Sequence, residues 1–183
     1  MGHINEWMLH ALRESATSLN CPLQWLEIDR FSWTPLVMRA LSFIVGGGTL
    51  LLGVDSKREW LRRYILSNIN NQELQRPFVP IYAFDESLVE LLKASEGEAV
   101  RDILDLSYTS YAMWYIGKGD TVVARFALDT RDSFLWIFDE PLEHSFTLSS
   151  TDKHLDFKLL QAFRVFEKAL FAGICGEFDL DLE

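Results

Sequence analysis

Gly46-Gly47-Gly48-Thr49-Leu50-Leu51-Leu52-Gly53-Val54-Asp55-Ser56 is the stretch that decides the fold class. Three glycines stop any helix that precedes them. Thr49–Val54 is then an unbroken apolar run of strand length. A strand with one wet face alternates apolar and polar residues. A continuous run implies burial on both faces, as in a parallel sheet covered by helices on each side. Asp55-Ser56 turns the chain into a helix, because both side chains can accept from the free N–H groups at a helix start. Strand, turn and helix in that order form the first half of a β-α-β unit.

Working back from the glycines, Leu36, Met38, Ala40, Leu41, Phe43, Ile44 and Val45 are apolar nearly all round. Such a helix is buried or sits between subunits. Thr34 is its expected N-cap and Pro35 its first residue, where a missing N–H costs nothing. Residues 3–19 place Ile4, Trp7, Met8, Ala11, Leu12 and Ser15 on one helical face, and Cys21-Pro22 ends that helix. A short stretch at 25–28 lies between the two.

Working forward, residues 57–69 carry a helical stripe of Trp60, Leu61, Tyr64, Ile65 and Ile69. Residues 78–84 read as a second strand in which Pro80 forfeits one ladder hydrogen bond. Helical material follows at 87–94. Ser95-Glu96-Gly97-Glu98 has the form of a capping box for a further helix to Ser107. Residues 112–116 form a third strand and 117–120 a turn. Residues 121–128 fit strand or helix equally. Residues 133–138 make a fourth strand and 146–148 a short fifth. Asp152 caps the last helix, whose stripe is Leu155, Leu159, Leu160, Phe163, Phe166 and Leu170, with Gly173 near its end. Residues 177–183 are an acidic tail. The expected architecture is α/β: one domain over residues 1–183, doubly wound, with a mainly parallel sheet and helices on both faces in three layers. The N-terminal and C-terminal helices are the expected oligomer contacts.

Acidic residues number 27 against 17 basic ones, so the formal net charge is −10. That average field repels a phosphate backbone and disfavours direct nucleic-acid binding. Lys57, Arg58, Arg62 and Arg63 form the one dense basic cluster, most simply the solvent face of its helix. No apolar run is long enough to span a bilayer and no leader pattern opens the chain, so membrane association is not expected and the location reads as cytoplasmic. Cys21 and Cys175 match no disulfide or metal spacing and read as reduced thiols.

Chemistry-bearing patterns are sparse. The loop Gly53-Val54-Asp55-Ser56-Lys57-Arg58 follows a strand and opens a helix, the place where an α/β sheet holds an anion. It contains no Walker or GxGxxG pattern, and Asp55 repels phosphate. A helix cap made by Asp55 or Ser56 is the plainer reading. His3, His10, His144 and His154 have no metal-ligand spacing, and no GxSxG is present. Carboxylate pairs such as Asp139-Glu140 read as solvated loop charge. Trp7, Trp60, Trp114 and Trp136 fall in core patterns. Leu170-Phe171 closes the last helix. Leu170 lies on the core stripe, whereas Phe171 falls off it, so an exposed pair there suits a protein partner. No cofactor is expected.

The ordered set WLEIDR (25–30), GGTLLLGVDSKREWLRRYILSNIN (47–70), MWYIGK (113–118), SFLWIF (133–138) and LDFKLLQAFRVFEKALF (155–171) resembles the HobA family of DnaA-binding proteins from epsilon-proteobacteria. That resemblance implies a SIS/Rossmann-like fold similar to that of DiaA and sugar-isomerase domains. It implies a homotetramer that binds the N-terminal domain of the replication initiator DnaA and gathers initiator at the chromosomal origin, without catalysis or cofactor. It also implies a partner-binding role for Leu170 and Phe171, which match a Leu-Phe pair in DiaA proteins. In sugar-isomerase domains a Ser/Thr-rich loop grips a phosphosugar. Here only Ser56 keeps the hydroxyl beside Asp55, which makes Asp55-Ser56 a vestigial anion loop. The alternative is a sugar-phosphate-binding or isomerising protein that still uses it.

Overall fold

The computed structural model describes residues 22–95 and 97–178. In chain order the elements are α1 (Gln24–Ile28), α2 (Arg30–Val45), β1 (Thr49–Val54), a 3-10 turn (Ser56–Arg58), α3 (Glu59–Ile69), a second 3-10 turn (Gln72–Leu74), β2 (Ile81–Ala83), α4 (Glu86–Ser95), α5 (Glu98–Ser107), β3 (Tyr111–Lys118), α6 (Val122–Asp129), β4 (Phe134–Phe138), β5 (Ser145–Leu148) and α7 (Leu155–Ile174). The strands form one sheet in the order β2-β1-β3-β4-β5, and every neighbouring pair is parallel.

The continuous apolar runs are explained by what lies above and below the sheet. Successive side chains of a strand point to opposite faces. Leu50 and Leu52 of β1 enter one core, with Trp114 and Ile116 of β3 and Phe134, Trp136 and Phe138 of β4. Leu51, Met113, Tyr115, Leu135 and Ile137 enter the other. The first core is closed by α2, α3 and α7, and the second by α4, α5 and α6. At the centre of the first, Trp114 and Phe134 pack against Phe166 with ring centroids 4.8 and 5.1 Å away, and Trp136 meets Trp114 edge-on at 5.5 Å. Trp25 of α1 stacks on Phe146 and donates its indole N–H to Gln161 of α7 at 2.7 Å, tying the entry of the fold to its last helix.

Several expectations shift. Helix α2 starts at Arg30, so Pro35 lies inside it and Thr34 caps nothing. The Asp29 carbonyl accepts from the N–H groups of Ser32 and Trp33, and Trp33 is buried edge-on to Phe146. Tertiary packing thus adds a turn that proline would otherwise discourage. Strand β2 is reduced to three residues. Asn70 takes both the N–H and the C=O of Val79 into side-chain hydrogen bonds of 2.9 Å, which removes that residue from the ladder. The capping box at 95–98 does not form: the Ser95 hydroxyl donates back to Leu91 within α4, and Gly97 at φ +97° opens α5. Gly117 and Lys118 continue β3, leaving the turn to Gly119-Asp120. The ambiguous 121–128 segment is helix α6, capped by Thr121, whose Oγ accepts from the Ala124 N–H at 3.0 Å. Asp152 caps by accepting from the His154 N–H at 2.8 Å, one turn ahead of α7. Trp60 is not core but surface. The helix expected at 3–19, with Trp7, His3 and His10, lies outside the described residues, as do Cys21, Glu96 and residues 179–183 of the acidic tail.

Candidate functional site

The strand order reverses direction between β1 and β3, and the carboxyl ends of these strands frame the crevice where such sheets bind ligands. A cleft of about 510 Å³ lies there, bordered by Asp55, Ser56, Arg62, Arg63, Lys93 and Thr121. The oxygens of Asp55 and Thr121 that face it are already engaged. Asp55 Oδ1 accepts from the Lys57 N–H at 3.0 Å, so the carboxylate sits where an incoming anion would meet that N–H. Thr121 Oγ is taken by the Ala124 N–H and lies 2.8 Å from the Tyr115 hydroxyl, which donates to the Lys118 carbonyl at 2.8 Å. Burial pushes the Tyr115 phenol up to about 12, so it stays a neutral donor at physiological pH. Gly117, at φ +156°, lets the β1 loop pass. A Cβ there would come within 2.8 Å of Asp55 Cβ and 3.0 Å of the Asp55 nitrogen. Ser56 is exposed.

Half of the basic cluster is the expected solvent face, since Lys57 and Arg63 are exposed; Arg58 and Arg62 are held. Arg58 lies over the Phe138 ring at 5.2 Å, between Asp55 at 3.9 Å and Asp156 at 3.8 Å. Arg62 donates to the Phe84 carbonyl at 2.9 Å and pairs with Glu59 at 2.8 Å. Both are held because α3 begins at the sheet's carboxyl edge, where carbonyls and carboxylates converge.

At the far end of α7, Leu170 is 0% exposed in the core and Phe171 is half-buried beside it. The expectation of an exposed Leu-Phe pair therefore holds for neither residue in full. Leu170 follows the core stripe inward, and the Arg76 guanidinium covers the Phe171 ring at 4.2 Å. Arg76 is fixed by Glu167 at 2.6 Å, and the same carboxylate takes Arg164 at 2.8 Å. Arg164 reaches on to the Tyr64 hydroxyl at 2.6 Å and Asn68 at 3.1 Å. This network joins α3, the 72–76 loop and α7 around one buried carboxylate. Two residues to either side of Arg76, Leu74 and Phe78 are 52% and 66% exposed. Leu74 and Arg76 fall in no expected element, and Phe78, expected to begin the second strand, lies outside β2. The signal for them was two large apolar residues spaced around an arginine in a segment with no periodicity.

Among the described residues, no group of three or more His, Cys, Asp or Glu is placed to hold a metal ion. No described helix is long and apolar enough to cross a membrane. Cys175 is exposed, and His144 is exposed at φ +58°. Asp139 accepts from Ser150, which lowers its carboxyl below the usual range; its position is a loop cap.

Comparison with known proteins agrees with this architecture. Residues 1–180 match the family described as HobA, DNA replication regulator. The DNA replication regulator protein HobA of Helicobacter pylori (strain ATCC 700392 / 26695) is 32% identical over 182 residues, covering 98% of this chain and all of that protein. A crystal structure of a HobA-DnaA (domain I-II) complex from Helicobacter pylori superposes with a TM-score of 0.85 at 30% identity, over 96% of this chain and 97% of that one. A crystal structure of HobA from Helicobacter pylori gives 0.79 at 30% identity, over 96% and 98%. With the parallel sheet, the two helical layers and nearly the whole length in common, this chain belongs to the HobA family of DNA replication regulators.

Proposed function

We propose that this protein is a non-enzymatic cytoplasmic adaptor that binds the N-terminal domain of the initiator DnaA and promotes its assembly at the origin. The observation that carries the reading is the match in backbone, over nearly the full chain, to a HobA held in complex with domains I–II of DnaA. The protein works as a single domain over residues 1–183 and assembles as a homotetramer. Several initiator domains gathered on one particle then meet at high effective concentration, so weak individual contacts suffice.

The partner surface assigned to α7 centres on Phe171. Leu170 supports it from below, and Leu74 and Phe78 extend it. Light-scattering chromatography of the protein, alone and with DnaA domains I–II, tests the reading. A tetramer that shifts to a particle carrying several DnaA domains supports it; a particle that ignores DnaA ends it.

The sugar-phosphate alternative draws on the cleft at the β1/β3 crevice. Against it, Asp55 and Thr121 spend their oxygens on backbone N–H groups that a phosphate would need. Asp55 thus acts as a structural cap in place of a ligand grip. Phosphosugars at millimolar concentration are expected to leave the melting temperature unchanged, since a native-state ligand would raise it.

A further inference from the structure

The sheet face opposite α7 carries a second depression, of about 390 Å³, between α4, α5 and α6. Its floor is apolar: Val122 is half-buried, and Leu92 and Phe126 show only their edges, at 6% and 3% exposed. Its walls are Lys93, Arg101 and Arg125, with Asp129 the one carboxylate in the lining. Three cations against one acid in a chain of net charge −10 mark the groove as a local reversal of sign. Lys93 and Arg101 hold intramolecular carboxylates, Glu90 at 2.7 Å and Asp129 at 3.7 Å. Both pairs are well exposed, and exposed pairs of this kind are worth little and exchange readily. Arg125 is exposed and has no charged partner among the described residues. Leu128, one turn further along α6 on the same side, is exposed as well. The Arg101 guanidinium stands 5.3 Å from the Phe126 ring, so charge and apolar floor form one surface.

An occupant must supply negative charge to the walls and apolar atoms to the floor. Inorganic phosphate would leave Val122 and Leu128 wet. A nucleic acid would bring a long row of phosphates against the acidic remainder of the molecule. A short stretch of polypeptide with carboxylates flanking apolar side chains meets both demands.

We propose that the groove between α4, α5 and α6 docks a short acidic segment of a partner protein. Its apolar side chains seat on Val122 and Leu128, over the edges of Leu92 and Phe126. Its carboxylates pair with Arg125 and replace Glu90 and Asp129 at Lys93 and Arg101. The groove opens on the opposite side of the sheet from Phe171, so the two surfaces can be occupied together.

The test titrates the full-length protein into a short fluorescein-labelled peptide alternating Leu or Phe with Asp or Glu, read by anisotropy. Because the chain as a whole repels an acidic peptide, binding requires a specific patch. Saturable binding is expected that weakens about tenfold or more for the same peptide with Asn and Gln in place of its acids, and likewise for Arg125→Glu. Arg125→Lys should retain it, and added salt should reduce it. Arg125 is exposed, so the variant's circular dichroism and melting temperature should match the parent's. Equal binding of the acidic and amide peptides, or binding unmoved by Arg125→Glu, overturns the proposal. The assay contains no DnaA, so its failure leaves the adaptor reading standing.

Discussion

At the scale of single residues, adjacent positions in α7 have unlike duties. Leu170 is sealed in the core and Phe171 reaches the surface beneath Arg76. Leu170→Ala should therefore lower stability by about 2–5 kcal/mol, as deletion of a buried leucine does. Phe171→Ala should leave the denaturation midpoint closer to the parent's and weaken capture of DnaA domains I–II. Urea melts alongside a binding titration separate the two. If Phe171→Ala folds and binds DnaA as well as the parent, the partner surface lies elsewhere. Asp152 makes a second residue-scale prediction. The Lys158 ammonium, 2.7 Å away, and then the His154 N–H hold its carboxyl below the ordinary 3.8. A carboxyl lowered in the folded state stabilises the fold above its unfolded pKa. That contribution is lost as pH falls from about 4 through the lowered native value. Asp152→Asn should thus be less stable at neutral pH and should lose less of its remaining stability on acidification. Urea midpoints at pH 7 and pH 3 measure both; equal acid sensitivity in variant and parent would contradict the assignment.

At the scale of elements, Pro35 is the informative exception. It occupies the sixth position of α2, where it lacks the N–H that would bond back toward Phe31. Pro35→Ala should raise stability by about 1–2 kcal/mol, the regained hydrogen bond outweighing the freer unfolded chain. An unchanged or lower urea midpoint would show that the proline is needed for packing. The same residue shows where legibility in sequence ends. Thr34-Pro35 carries a strong local start signal, yet Trp33 packs on Phe146 more than a hundred residues away, and local pattern cannot report that. Strand β1 was readable because both its faces are buried, so its run from Leu50 to Val54 had to be apolar throughout. Strand β2 was read too long because nothing in the sequence announces that Asn70 will claim Val79. The α/β class was thus legible from continuous apolar runs set between helical stripes. Of the candidate site, Asp55 was legible as a cap. The network of Arg76, Arg164 and Glu167 was not, because its members come from separate elements and meet only once the sheet has formed.

At the scale of the whole molecule, the proposed tetramer needs apolar surface that one chain does not bury. Ile28 and Phe31, at the α1–α2 junction, are 72% and 76% exposed, and adjacent apolar residues so uncovered suit an interface between copies. Phe31→Glu is expected to reduce the particle mass in light scattering without changing the helical circular dichroism signal. A variant of undiminished mass would move the interface away from this junction. The topology also bears on how the chain is made. Strand β1 is interior to the sheet, yet its neighbours come later: β2 pairs with only three of its residues, and β3 begins at Tyr111. A ribosome adding roughly 5–20 residues per second leaves Thr49–Val54 for some seconds as a bare, uncharged strand edge in the nascent chain. The segment that organises the finished sheet is thus the one most open to mispairing during synthesis. Conditions that slow elongation across residues 55–111 should raise aggregation of the newborn protein more than any loss of folded stability would suggest.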